Sequence, residues 1–192
     1  MATQTRFSYR VPGYSARLAR PIISSLLMVA LLSSGITVMV HASGGSGYAL
    51  QFDGSDDYVQ IPDISTLEPA AVTVETWVKV SAFTSSGVSG YQYIIFKKNS
   101  RVNDFEGYTL WLDNSTKRFF STVTSAGGVQ RGISGTSDAN LDQWYHLALL
   151  ADSTQTSLYI DGELQGTVTT GFALDYGDTP LYFGRTGEGW DG

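Results

Sequence analysis

The 192-residue chain has no cysteine, only five prolines, and charge on just 16% of its residues. Without thiols there is no disulfide framework, no Cys-ligated zinc and no cysteine nucleophile. Bases are scarce as well: 12 Lys and Arg oppose 18 Asp and Glu, for a net charge of -6. Arg6, Arg10, Arg17 and Arg20 all precede the first acid, Asp53, so residues 43–192 set eight bases against all 18 acids and carry -10. Such a chain lacks the clustered Lys and Arg that neutralise phosphates, which argues against nucleic acid as a partner. Glycine, with 21 residues, and aromatic side chains, at 12%, are plentiful. With so little charge, that composition suits many short strands and turns rather than helices.

Residues 1–42 differ from the rest. A basic stretch ending at Arg20 is followed by 19 uncharged residues, Ile22 to Val40, and then by the small-residue site Val40-His41-Ala42. That order predicts a secretory signal peptide cleaved after Ala42. The alternative is an uncleaved membrane anchor, because the run approaches the length that spans a bilayer. Under either reading the arginines stay inside and the remainder is exported, to become secreted or displayed at the cell surface. Ser43 to Gly47 is a flexible Gly/Ser spacer.

From Tyr48 onward, turn residues divide short strand-like segments at the spacing of an antiparallel sandwich. The segments expected as strands are Tyr48–Phe52, Tyr58–Ile61, Val72–Val80, Tyr91–Lys97, Gly107–Asp113, Arg118–Thr124, Trp144–Asp152, Ser157–Ile160, Glu163–Val168 and Leu181–Gly184. In Val72–Val80 the valines and Thr76 share one face, and Thr73, Glu75, Trp77 and Lys79 share the other. Asp161-Gly162 predicts a type I′ hairpin turn.

Five stretches occur in an order that resembles laminin-G-like jelly-roll modules of the concanavalin A-like lectin and glucanase superfamily. They are Ala49–Val59, Val72–Lys79, Gln143–Ala148, Leu158–Gly162 and Leu181–Gly184. The resemblance covers residues 48–192 and implies an all-β, antiparallel jelly roll. The family continues with a further strand of the type Gly-x-Ile-Asp-Glu-Val where this chain has Gly189-Trp190-Asp191-Gly192. The expectation is therefore a fragment of a longer, multidomain protein whose last strand is missing.

The superfold serves lectins, adhesion modules, glycosidases and lyases, so function has to come from a site. A glucanase needs alternate carboxylates along one strand, and no such run exists. Asp104 and Glu106 are the only i, i+2 acids just ahead of a strand, and they read as solvated loop acids. His146, the one histidine past residue 42, sits within a strand and reads as a half-buried imidazole rather than a general base. No Gly-x-Ser-x-Gly elbow is present. Catalytic residues are therefore expected to be none.

Two binding chemistries remain. Asp53, Asp56 and Asp57 lie within five residues around Gly54. Clustered hard oxygens suit calcium, with Asp191 as a further ligand if the chain ends approach one another. The competing reading is a tight Asp-Gly turn with exposed neighbours. A sugar ring requires an aromatic face flanked by hydrogen-bonding side chains. Trp111 qualifies, sharing a strand face with Thr109 and Asp113, and Tyr91, Tyr93 and Asn103 are further candidates; Trp77 and Trp144 are expected in packing. Asn114-Ser115-Thr116 is also a glycosylation sequon. The favoured function is a noncatalytic extracellular module binding a glycan or an extracellular protein, assisted by calcium. The alternatives are an adhesion spacer in a larger surface protein and a hydrolase or lyase of the same superfold.

Overall fold

The computed structural model describes residues 49–84, 90–98 and 106–186. The chain divides into two units, Met1–Leu50 and Gln51–Gly192. Only Ala49 and Leu50 of the first are described, so the predicted signal peptide, anchor and spacer lie outside the described residues. Among the described residues, no helix is long and apolar enough to cross a membrane.

The second unit is all-β, as its composition predicts. Its strands are β1 (Val59–Ile61), β2 (Val72–Lys79), β3 (Tyr91–Lys98), β4 (Gly107–Asp113), β5 (Arg118–Thr124), β6 (Gln130–Ser134), β7 (Trp144–Ala151), β8 (Gln155–Ile160), β9 (Glu163–Thr169) and β10 (Leu181–Phe183). A single 3-10 turn, Ser65–Leu67, is the one helical element described. Every pairing is antiparallel, in a six-stranded sheet β1-β10-β3-β4-β5-β6 and a four-stranded sheet β2-β7-β8-β9.

The core forms where the two sheets' apolar faces meet. Leu110 and Leu112 on β4, Phe119 on β5, Leu147 and Leu149 on β7 and Leu158 on β8 are almost fully buried. Each such side chain contributes roughly 1.5–3 kcal/mol of burial free energy, so two-residue alternation fixes which face of each strand turns inward. The expected alternation in β2 holds: Val72, Val74, Thr76 and Val78 are half-buried while Thr73, Glu75, Trp77 and Lys79 are exposed. The β8–β9 hairpin turns at Asp161 (φ 52) and Gly162 (φ 80), the two positive values that a type I′ turn requires.

Two expectations change. Residues 49–52 form no strand, and Phe52 instead lies where a Cβ at Gly184 (φ 85) would strike its ring at 2.8 Å. β6 is absent from the segments expected as strands. Its Gln130-Arg131-Gly132-Ile133-Ser134 sequence has one large apolar residue and an interior glycine, so neither alternation nor propensity marks it. The close fit between strands explains the glycine, because a Cβ at Gly132 would meet the Thr122 methyl at 2.9 Å.

Candidate functional site

On the outer face of the six-stranded sheet, Tyr93, Trp111 and Phe120 stand opposite one another on β3, β4 and β5. Trp111 stacks on Phe120 with centroids 5.3 Å apart and planes within 14°. Tyr91 leans on Trp111 at 6.3 Å and meets Tyr93 edge-on at 6.2 Å. Tyr93 in turn contacts Phe96 edge-on at 5.3 Å. The β-bulge between Tyr93 and Ile95 makes this possible. One extra residue lets Tyr91 and Tyr93 share the outer face with Phe96, while Ile95 and Lys97 point inward.

The aromatic band runs on toward the sheet edge. Tyr182 on β10 stands opposite Phe96, and Tyr58 lies 6.4 Å from Tyr182. The Arg185 guanidinium sits 4.4 Å over the Tyr58 ring and 6.0 Å from that of Tyr182, a cation–π arrangement that fixes a positive charge at this end of the band.

At the β3–β4 end an open hollow of about 400 Å³ is lined by Gly90, Tyr91, Asp113, Asn114 and Ser115. Asp113 Oδ1 accepts hydrogen bonds from the Ser115 N–H (2.8 Å), the Ser115 hydroxyl (2.6 Å) and the Thr116 N–H (3.2 Å). Burial pushes the Asp113 carboxyl upward, but the bonds from Ser115 and Thr116 outweigh it and hold the group below its ordinary value. Asn114 is held by an N–H bond to the Gly90 carbonyl and by Gln92 Nε2, 2.6 Å from its Oδ1. Amide and carboxylate therefore sit rigidly beside the Tyr91 ring.

Three of the four residues singled out for ligand binding, Trp111, Tyr91 and Tyr93, thus come together on one face; Asn103 lies outside the described residues. Trp111 is half-buried between Tyr91 and Phe120, so a continuous band replaces the lone platform expected from the strand pattern. Phe120 escaped sequence reasoning because only the β4–β5 register places it beside Trp111.

The acidic turn precedes β1 at the edge of the same sheet. Asp53, Asp56 and Asp57 each bring a carboxylate oxygen within 4.8 Å of the others. Asp53 Oδ1 accepts the Ser55 N–H at 2.8 Å, and Asp57 Oδ2 accepts the Asp53 N–H at 3.1 Å. Gly54 adopts φ 79, which lets the turn close. Three carboxylate oxygens thus converge on one turn, where calcium takes roughly six to eight oxygen ligands. The fourth expected ligand, Asp191, lies outside the described residues.

Trp77 and Trp144 correct the packing expectation. They are 64% and 46% exposed, on the outer face of the four-stranded sheet. Alternation assigns a face but not what covers it. Trp77 lies 5.1 Å from the His146 ring, and His146 Nε2 is 3.5 Å from Glu75. His146 is half-buried there, as expected. Glu106 is buried rather than solvated, and Asp104 lies outside the described residues. Asp161 lies in the hairpin turn and Glu163 opens β9, with Asp161 Oδ1 accepting the His146 N–H at 2.7 Å.

These features sit in a recognisable lineage: a laminin-G-type family model, described as the concanavalin A-like lectin/glucanases superfamily, matches residues 53–192, and the chain belongs to that family. Solved structures share the fold at low identity. Domains LG4-5 of the mouse laminin alpha1 chain are 19% identical, over 73% of this chain and 36% of that one, at a TM-score of 0.53. The CBM40 of Ruminococcus gnavus IT-sialidase, solved bound to alpha2,3 sialyllactose, is 16% identical over 68% of this chain and 78% of that one, at 0.51. The binding domain of Paraclostridial Mosquitocidal Protein 1 is 12% identical over 66% and 32%, at 0.54. The chain spans about a third of the length of the toxin and laminin structures. No curated protein matches it.

Proposed function

We propose that residues 48–192 form a noncatalytic extracellular binding module whose ligand is a glycan, held on the outer face of the six-stranded sheet. The observation that carries this reading is the cross-strand row Tyr93–Trp111–Phe120, ended by Tyr91 and a hollow bearing Asp113, Asn114 and Ser115. Aromatic rings cover the apolar side of a pyranose, and the fixed amide and carboxylate offer hydrogen bonds to its hydroxyls. The glycan-bound CBM40 supports the reading at the level of fold. Export by the N-terminal segment would place such a module outside the cell.

Calcium enters the proposal as an accessory ion at Asp53, Asp56 and Asp57, where carboxylate convergence favours it. Bound there, it would brace the turn leading into β1.

The test is binding to a glycan array, followed by titration calorimetry on the best hit, for the native protein and for Trp111→Ala. Loss of the central ring is expected to weaken affinity about tenfold or more, whereas Trp144→Ala, on the other sheet, leaves it unchanged. Equal affinity in a folded Trp111→Ala protein would overturn the site. Turnover of a bound polysaccharide would favour the hydrolase reading instead.

A further inference from the structure

The outer face of the four-stranded sheet carries chemistry that the glycan reading leaves unused. Trp77 on β2 and Trp144 on β7 are exposed there. Trp77 stands opposite His146 and Lys79 opposite Trp144, which makes the two tryptophans diagonal neighbours about 7–8 Å apart along the backbone. Each ring already has a basic group beside it: Lys79 Nζ lies 5.5 Å over the Trp144 ring, and the His146 ring is 5.1 Å from that of Trp77. The Lys79 contact shows an indole of this face serving as the seat of a cation. Glu75 shares the face two residues, about 7 Å, before Trp77, and more than half of its side chain is exposed. Ala148 stands opposite Glu75 and Tyr159 opposite Ala148, so on that row only a methyl group separates the carboxylate from a third ring. All these residues are described, and a strand added beside β2 would lie in the plane of the sheet without covering them.

We propose that this face is a second binding site, for an arginine-bearing segment of a partner protein. A guanidinium is planar, so it lies flat on an indole and pairs with a carboxylate in the same contact, and Trp77 and Glu75 offer the two together. Charge complementarity selects a basic partner over a neutral or acidic one. Residues 43–192 set eight bases against 18 acids, and Lys97 and Lys98 are buried, so the long-range field draws cations. An ammonium suits the rings less well, because it has no plane to stack and holds its hydration more strongly. Lys79 has a defined part: it occupies Trp144 from within the chain and competes there with an incoming cation. The site shares no residue with the aromatic band on the other sheet, so it stands or falls apart from the glycan reading.

The test titrates the full chain into fluorescein-labelled hexa-arginine at about 150 mM salt, read by anisotropy, with hexalysine as the probe of equal charge. Hexa-arginine is expected to bind, and hexalysine about threefold or more weakly. Trp77→Ala keeps every charge yet should lose about three- to tenfold in affinity. Glu75→Gln should lose a similar factor, whereas Asp138→Asn, an equal charge change beside Arg118 of the six-stranded sheet, should cost less than about twofold. Lys79→Gln should bind about twofold or more tighter than Lys117→Gln, an equal charge change between β4 and β5, because only the first frees a ring of this face. Glu75, Trp77 and Lys79 are solvent-exposed, so the variants are expected to fold, with circular dichroism as the check. Hexalysine binding as tightly as hexa-arginine, a folded Trp77→Ala protein matching the native one, or Glu75 and Lys79 variants no different from their controls would each reduce the binding to general charge attraction and overturn the site. An array glycan lost with Trp77→Ala would give the face to sugar, and a native dimer dissociated by the same change would give it to a second copy; either result also overturns the proposal.

Discussion

Lys97 and Lys98 are neighbours in sequence, yet the β3 pleat sends them to opposite sides of the sheet and into different electrostatic situations. Lys97 Nζ meets Asp63 at 2.7 Å and Glu68 at 3.5 Å, so its charge is compensated where it is buried. Lys98 is also buried, and desolvation pulls its ammonium down from 10.5 to about 8. Between those values the unfolded chain binds a proton that the folded protein has released, so stability rises with pH through that window. Below it both forms are charged and the burial cost is fully felt. The urea midpoint is therefore expected to climb between pH 8 and 10, by up to about 3 kcal/mol in stability, and Lys98→Met should flatten the climb. The measurement stops at pH 10 because Tyr108 and Tyr176, raised by burial, oppose the trend above it: their phenols stay protonated in the fold while those of the unfolded chain ionise. The acidic turn makes its own residue-scale prediction. Calcium should raise the melting temperature of the native protein and chelator should reverse it. Asp53→Asn/Asp57→Asn should abolish the shift, and an equal shift in that variant would remove calcium from this turn.

At the scale of elements, glycines separate two kinds of constraint. Gly162 has φ 80 in the β8–β9 turn with open space around its missing Cβ. Gly162→Ala should cost only the left-handed conformation, about 1 kcal/mol in denaturant titration. Gly107 opens β4 with φ 115, and a Cβ there would run into the Lys97 carbonyl across the pair. Because that obstacle is backbone, Gly107→Ala should cost upwards of about 3 kcal/mol and loosen β3 from β4. Asp161-Gly162 announces its turn in sequence, but nothing there marks the backbone that Gly107 must clear. What sequence does reveal follows the same logic. The β2 alternation, the Asp161-Gly162 turn and the outward side of Trp111 are local and were legible. Exposure of Trp77, the partnership of Trp111 with Phe120 and the existence of β6 depend on which strands become neighbours, and strand periodicity carries no such information. The acidic turn was legible as a cluster because its three aspartates lie within five residues, yet its convergence depends on the Asp53 and Asp57 hydrogen bonds.

Across the molecule, one buried cation links segments that are far apart in the chain. Lys97 Nζ, on β3, is surrounded by Asp63 and Glu68 from either side of the 3-10 turn and by the carbonyls of Gly177 (3.2 Å) and Thr179 (2.8 Å), which lead into β10. The Tyr176 ring lies 5.9 Å from the same ammonium, and its hydroxyl donates to the Pro69 carbonyl at 2.8 Å. β1 and β10 are only three residues each, too short to hold the sheet edge by ladder bonds alone, so this ammonium works as a clamp upon them. Lys97→Met keeps the side chain's length and apolar stem but removes every donor. It leaves two carboxylates near one another and two carbonyls without their ammonium. A loss of about 3–5 kcal/mol is the general cost of breaking a buried ion pair from one side. Here both acids retain some solvent contact, which moves the expectation to about 2–4 kcal/mol by urea denaturation. Hydrogen exchange should locate the damage, with amides of β1 and β10 losing protection before those of β4, β5 and β7. Uniform loss across both sheets would mean that Lys97 supports the core as a whole rather than its edge. Since the aromatic band passes from Tyr93 through Phe96 to Tyr182 and Tyr58 over these same edge strands, a loosened edge should also weaken the glycan binding proposed for it, without altering Trp111 or its contact with Phe120.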